Sequence, residues 1–153
     1  MSLKDKEKWN SKYEADKYIT GKEPSRWLED NAGLLAKSGK ALDIAGGEGR
    51  NSVFVASKGY EVTCLDISEN GLRKAQALAH EKNAEITTVL ADLDSNSLKE
   101  NEYDLILCFN FLERSLFSGI HQALKPGGLL FYETFTVDYL KYSNFKKEWV
   151  LEA

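Results

Sequence analysis

The sequence predicts an α/β fold in one domain: a mainly parallel, doubly wound sheet of about five strands with helices on both faces. Three observations carry this prediction. Short β-branched apolar runs alternate along the chain with segments whose apolar residues recur at helical spacing. The run YDLILCF (103–109) is apolar almost throughout, as a strand covered on both faces must be. Strands separated by helices need right-handed crossovers, and these make neighbouring strands parallel. A chain of 153 residues is long enough for a single sizeable core, and no repeat or low-complexity linker divides it.

In chain order, residues 5–16 are polar but carry Trp9 and Tyr13 four apart, on one helix face. PSRWLEDNAGLLAKSG (24–39) places Pro24 near a helix start and Gly39 past its end, with Trp27, Leu28, Leu34 and Leu35 available for burial. KALDIA (40–45) is the first strand, followed by a glycine loop and a helix over RNSVFVASK (50–58), closed by Gly59. YEVTCLDI (60–67) is the second strand. Ser68 then caps a helix running to about Asn83, with Leu72, Ala75 and Ala79 on one face. EITTVLADL (85–93) is the third strand and residues 103–109 the fourth. A helix over 113–124 turns Leu116, Phe117, Ile120 and Leu124 inward, and KPGG (125–128) turns the chain into the fifth strand, LLFYETF (129–135). The single domain 1–153 thus divides into a helical cap (1–39), a core (40–135) and a tail (136–153).

Composition narrows the function classes. With 42% hydrophobic residues, 29% charged residues and a net charge of −4, the chain reads as soluble and globular. Lys4, Lys6, Lys8 and Lys12 alternate with Asp5, Glu7 and Glu14, which is a solvated face and argues against a nucleic-acid partner. No run approaches the roughly 18 apolar residues of a membrane span, and the charged N-terminus is unlike a signal peptide. Cys64 and Cys108 sit inside apolar strands with neither metal-site nor disulfide spacing, so no metal is expected and a cytoplasmic setting fits.

The loop AGGEGR (45–50) holds Gly46, Gly47 and Gly49 between apolar runs. A glycine costs about 1 kcal/mol in a regular element, so either the turn is tight or something must approach the backbone. In an open parallel sheet, ligands bind beyond the carboxyl ends of the strands where strand order reverses, and this loop lies at such an end. Asp66 ends the second strand, where a carboxylate accepts both hydroxyls of a ribose. Asp92 ends the third strand, in reach of an exocyclic adenine amine, while Asp43 lies inside the first strand and demands a partner. Three acids at neighbouring strand ends, with the loop, favour a nucleoside-type ligand over a merely tight turn.

LDIAGGEGRN resembles the first motif of class I S-adenosylmethionine-dependent methyltransferases, acid-x-Gly-x-Gly-x-Gly, and its Gly-Arg-Asn end is similar to the tellurite-resistance-type branch. CLDIS, LADL, YDLILCFNFLER and LKPGGLLFYETF are similar to the motifs that follow in that family, in order, and WNSKY to its N-terminal helix, which caps the cofactor. The resemblance spans roughly residues 9–140. It implies a Rossmann-like sheet in the order 3-2-1-4-5, S-adenosyl-L-methionine as cofactor, and methyl transfer to a small acceptor such as a thiol, a chalcogen oxyanion or a metabolite. It further implies that Asp43 holds the methionyl amine and that Gly46, Gly47 and Gly49 meet the methionyl and ribose portions. By the same resemblance Asp66 binds the ribose hydroxyls, Ile67 lies against the adenine, and Asp92 with the Leu93 amide reads the adenine edge. Phe109 and Asn110 would line the methionyl arm, and Trp9 and Tyr13 would close over the site or pack on the core. Ala45 stands where the motif usually has its first glycine, which narrows the site by one methyl. The family's sheet normally continues with two more strands as a hairpin. Only 18 residues follow the fifth strand here, so the chain reads as truncated. Its fifth strand then becomes an apolar edge, hidden by a homodimer or by residues 136–153.

Methyl transfer from a sulfonium is an in-line displacement in which positioning supplies much of the catalysis. His80 and His121 lie in helices beside Glu81 and Gln122 and read as surface residues, so no catalytic residue is assigned. Two alternatives stay open. A nicotinamide-dependent oxidoreductase would need a small residue after Gly47 and Gly49 where Ser52 stands, and a non-catalytic module would bind the cofactor without turnover.

Overall fold

The apolar runs become five strands, β1 (Gly39–Ile44), β2 (Tyr60–Asp66), β3 (Ile86–Leu90), β4 (Tyr103–Phe109) and β5 (Leu124–Glu133), in the computed structural model, which describes residues 3–93 and 98–136. They form one parallel sheet in the order β3-β2-β1-β4-β5. The helices are α1 (Leu3–Lys12), α2 (Arg26–Asp30), α3 (Arg50–Ser57), α4 (Glu69–Glu81) and α5 (Phe117–Ala123). Side-chain alternation along the central strands splits the core between the two faces. Leu105 and Leu107 join Leu28, Val55, Val62 and Phe131 on one side, while Ile106 and Cys108 join Leu42, Ile44, Leu65 and Ile120 on the other. Cys64 and Cys108 are both buried, as small apolar side chains in their strands.

Several elements differ from the sequence expectation, each for a local reason. Residues 24–39 do not form one helix: α2 stops at Asp30 and a 3-10 turn follows at Ala32–Leu34. The Asn31 side-chain amide donates to the Trp27 carbonyl at 2.8 Å, a local bond that competes with continued helix. Leu28 is fully buried, whereas Trp27 and Leu34 stay largely exposed, Trp27 resting edge-on against Phe131. The helix expected over 113–124 begins as a 3-10 turn at Arg114–Leu116, and Phe117 is exposed beside Tyr132 rather than turned inward. KPGG does not precede the fifth strand but bulges within it, since Tyr103 pairs with Leu124 and Leu105 with Leu129. The third strand ends at Leu90, short of Asp92. Residues 137–153, nearly all of the expected covering tail, lie outside the described residues. Among the described residues, no helix is long and apolar enough to cross a membrane.

Ser68 caps α4 as its spacing implies, accepting from the Gly71 amide at 3.1 Å. It also donates to the Asn10 side chain at 2.7 Å, which fastens α1 to the start of α4. The Asn10 side-chain oxygen accepts from the Asn70 amide as well, at 3.2 Å, and its backbone carbonyl accepts from the Asn70 side chain at 2.8 Å. Ser68→Ala should therefore cost about 1–2 kcal/mol, the upper range for a lost cap, measured as a shift in urea midpoint at unchanged slope. A smaller loss would show that the cap and the Asn10 bond contribute little.

Candidate functional site

The chain leaves β1 through three left-handed residues, Ala45 (φ 54°), Gly47 (φ 55°) and Gly49 (φ 82°). Glycine adopts this region freely; an alanine there costs about 1–2 kcal/mol. Gly46 is demanded by close approach instead, because an added Cβ would run into the Cys64 sulfur and lie 3.0 Å from the Asp43 carboxyl. Over Gly47 lies Tyr13, whose hydroxyl oxygen would be 2.8 Å from an added Cβ.

Two buried carboxylates flank this loop. Asp66 is 5% exposed and accepts from the Gly47 amide at 2.8 Å and the Ser68 amide at 2.9 Å, one bond to each oxygen. An ionised carboxylate offers about four acceptor positions, so each oxygen retains capacity for another donor. Burial pushes the Asp66 carboxyl above its usual range, while the backbone amides of Ser68, Gly47 and Ile67 oppose the rise. Asp43 accepts from the Ser52 hydroxyl at 2.7 Å. Burial drives its pKa up to about 7 against that bond, with the Asp66 charge adding to the rise and Arg50 opposing it.

A cavity of about 370 Å³ opens beside these groups, beyond the carboxyl ends of β1, β2 and β4. Asp43, Ala45, Gly46, Gly47 and Asp66 line it, with Phe109 and Asn110 from the end of β4 and Trp9 and Tyr13 from the N-terminal segment. The Trp9 and Tyr13 rings stack at 5.6 Å and 24°, and Tyr13 is buried. Lys12 lies over the Trp9 ring at 4.7 Å, its pKa lowered by burial and by Lys8. Asn110 holds a left-handed φ of 57°, a conformation asparagine tolerates better than most residues.

Four expected residues do not line the cavity. Gly49 begins α3, and an added Cβ would stand 2.6 Å from the Ala75 Cβ, so its smallness lets α3 pack on α4. Ile67 and Leu93 are buried outside the cavity lining, and Asp92 is exposed beyond the early end of β3. His80 and His121 are exposed and line nothing in this cavity. Residue-level reading missed Lys12, Ile19, Thr20, Glu48, Arg50, Asn51, Phe111 and Phe135, all of which line it. A signal for Glu48 did exist. Lys74 falls in the buried stripe of α4 with Gly71, Leu72, Ala75 and Leu78, and a lysine there needs a buried acid. That acid is Glu48, at 2.9 Å.

The family model described as a methyltransferase domain matches residues 41–128 of the chain. A Haemophilus influenzae protein named as a probable S-adenosyl-L-methionine-dependent methyltransferase, TehB, is 35% identical over 89 residues, covering 56% of this chain and 31% of the relative. The ubiquinone biosynthesis O-methyltransferase of an Azoarcus species is 28% identical over 122 residues, 76% of this chain and 52% of that protein. The solved S-adenosylmethionine-dependent methyltransferase of Mesorhizobium loti superposes with a TM-score of 0.62 at 28% identity, over 73% of this chain and 55% of its own. The chain therefore spans about a third to a half of the length of these curated relatives.

The buried carboxyl and the left-handed alanine give two measurable consequences. Asp43 binds its proton more tightly folded (about 7) than unfolded (3.8), so its share of stability is full below about pH 4 and lost as pH rises towards 7. The stability of the parent relative to Asp43→Asn should fall by a few kcal/mol across that window and stay flat above it. A difference independent of pH would contradict the buried, protonated carboxyl. Ala45→Gly should gain roughly 0.5–1 kcal/mol, the relief of left-handed strain less the added chain entropy of glycine. Thermal melts that show a loss would place the strain elsewhere.

Proposed function

The chain belongs to the methyltransferase domain family, whose model matches more than half of it, and on that footing we propose that it binds S-adenosyl-L-methionine in this cavity and directs methyl transfer to a small-molecule acceptor. The observation that carries the reading is the meeting of Asp43, Gly46, Gly47 and Asp66 in one cavity beneath an aromatic pair. The donor set fits the cofactor: a cation-seeking buried acid, a second acid with unused acceptor positions, and a glycine backbone that lines the cavity directly.

In this reading Asp66 accepts the ribose hydroxyls on the positions left by Gly47 and Ser68. Asp43 faces the methionyl amine, and a cation there restores the charge that burial suppresses. The Gly46 and Gly47 backbone lies along the ligand, with Phe109 and Asn110 beside the methionyl arm. Trp9 and Tyr13 line the cavity as an aromatic pair that already draws Lys12 over Trp9, and such electron-rich rings suit a sulfonium cation. Ile67, Asp92 and Leu93 are proposed to lie towards the adenine, beyond the described cavity. When bound, the cofactor supplies a methyl group on a good leaving group, so the protein's contribution is alignment and the exclusion of water. No side chain is assigned as a base. A small acceptor suits a cavity of this size, and a cytoplasmic setting suits the two reduced, buried cysteines. Ser52 disfavours a nicotinamide reading, because its buried hydroxyl is committed to Asp43 at the place where a third small residue would be needed.

Calorimetry against S-adenosylmethionine, S-adenosylhomocysteine and NADH tests the proposal. Asp66→Asn keeps the side chain's shape while removing its charge, and should weaken the first two by about 1.5–3 kcal/mol, the worth of a charge-assisted hydrogen bond. Unchanged affinity in that variant, or tighter binding of NADH by the parent, would sink the assignment.

A further inference from the structure

Between Leu3 and Trp27 only Tyr13 and Ser25 are buried, so apolar burial does little to hold this segment in place. The same segment nevertheless supplies Trp9, Lys12, Tyr13, Ile19 and Thr20 to the cavity lining. What secures residues 17–20 is a buried charge from the opposite side. The Glu48 side chain is 0% exposed and accepts from the Ile19 amide at 3.2 Å, the Thr20 amide at 3.1 Å, the Thr20 hydroxyl at 3.0 Å and Lys74 Nζ at 2.9 Å. Lys74 Nζ also donates to the Lys17 carbonyl at 2.7 Å and stands 5.3 Å from the Tyr18 ring centroid and 5.9 Å from that of Tyr13. The Tyr18 hydroxyl closes the circuit by donating to the Lys74 carbonyl at 2.8 Å.

We infer that Glu48 and Lys74 are positioning residues whose buried ion pair latches residues 17–20 against the glycine loop and so sets one side of the ligand cavity. The inference rests on the cofactor reading of that cavity. Glu48 lies between Gly47 and Gly49, so the backbone that meets the ligand and the segment that closes beside it are joined through one side chain. The Glu48 carboxylate bonds this strap and Lys74, whose ammonium bonds the strap in turn. Lys74 lines no part of the cavity, so its influence on a ligand is indirect, passing through Glu48, the strap and the neighbouring Tyr13 ring.

The test pairs hydrogen exchange of the unliganded protein with the dissociation constant for S-adenosylhomocysteine. Lys74→Met strands a buried carboxylate, which regains water by releasing the strap. Replacing both partners, Glu48→Met with Lys74→Met, removes the buried charges together, an exchange that commonly leaves a fold as stable as before. This double variant therefore reports even where the single one fails to fold. In it the Ile19 and Thr20 amides should exchange at least about tenfold faster, the β1 and β4 amides should keep their protection, and the ligand should bind about tenfold or more weakly. Parental protection at Ile19 and Thr20 would overturn the latch, and so would freed amides with an unchanged dissociation constant. A parent protein that does not bind S-adenosylhomocysteine would overturn the cofactor reading instead, and exchange at Ile19 and Thr20 would still decide whether the latch exists.

Discussion

The Asp66 carboxylate is the junction on which the rest of the site depends. Parallel pairing sets Ile44 beside Leu65 and so brings the end of β2 level with the loop that leaves β1. From there Asp66 binds the Gly47 amide with one oxygen and the Ser68 amide with the other. Removing the carboxylate would leave two buried donors without that acceptor, which native folds rarely tolerate. Both ends of the bond lead outward. Ser68 begins α4 and holds Asn10 of α1, while Glu48, next to Gly47, holds residues 17–20. The N-terminal segment is thereby fixed at two places by groups that the sheet has already positioned.

Three acids, Asp43, Glu48 and Asp66, are buried within this small region and are compensated in different ways. Asp66 takes backbone amides, which are fixed dipoles with no entropy left to lose. Glu48 takes a lysine and three further donors. Asp43 has the hydroxyl of Ser52 and the more distant pull of Arg50, and burial still drives its pKa up to about 7. An added cation would restore its charge. Ala45 adds backbone strain at the same place, since its left-handed conformation would suit a glycine better. Stability given up at a site, and held by its surroundings, is the common pattern where a fold is prepared for a ligand.

The parallel sheet was readable because β4 is apolar on both faces and helices between strands imply parallel crossovers, whereas the strand order rested on the resemblance to class I methyltransferases. Asp43, Gly47 and Asp66 were readable for the same reason, since the end of a strand locates its neighbours. Other features were not. The break after α2 turns on one Asn31 side-chain bond, which composition does not reveal. The KPGG stretch looked like punctuation, yet a parallel strand absorbed it as a bulge because Leu124 was already paired. Asp92 shows the limit of strand lengths read from apolar content: the pairing stops at Leu90, and two residues are enough to carry a side chain out of the cavity. The Glu48–Lys74 pair was half visible, as a lysine in an apolar stripe, but its acid was hidden among glycines that seemed to explain the loop by themselves.

A segment that closes beside a ligand faces opposing demands, and its composition shows how they are met. Held by a large apolar face, it would open only at the cost of exposing that face, about 25 cal/mol for each Å² returned to water. Here Leu3 and Ile19 remain exposed and α1 buries no residue. The attachments are hydrogen bonds to groups anchored elsewhere, and water replaces such bonds when they break, so each contributes only about 0.5–1.5 kcal/mol net, somewhat more when one partner is charged. Several of them acting together give a definite closed geometry, while the separate cost of opening stays modest. The ion pair itself need not separate for this to happen. In the latch proposed above, Glu48 would release Ile19 and Thr20 while keeping Lys74, so the buried charge would stay compensated. One buried glutamate would then secure a boundary of the cavity without sealing it.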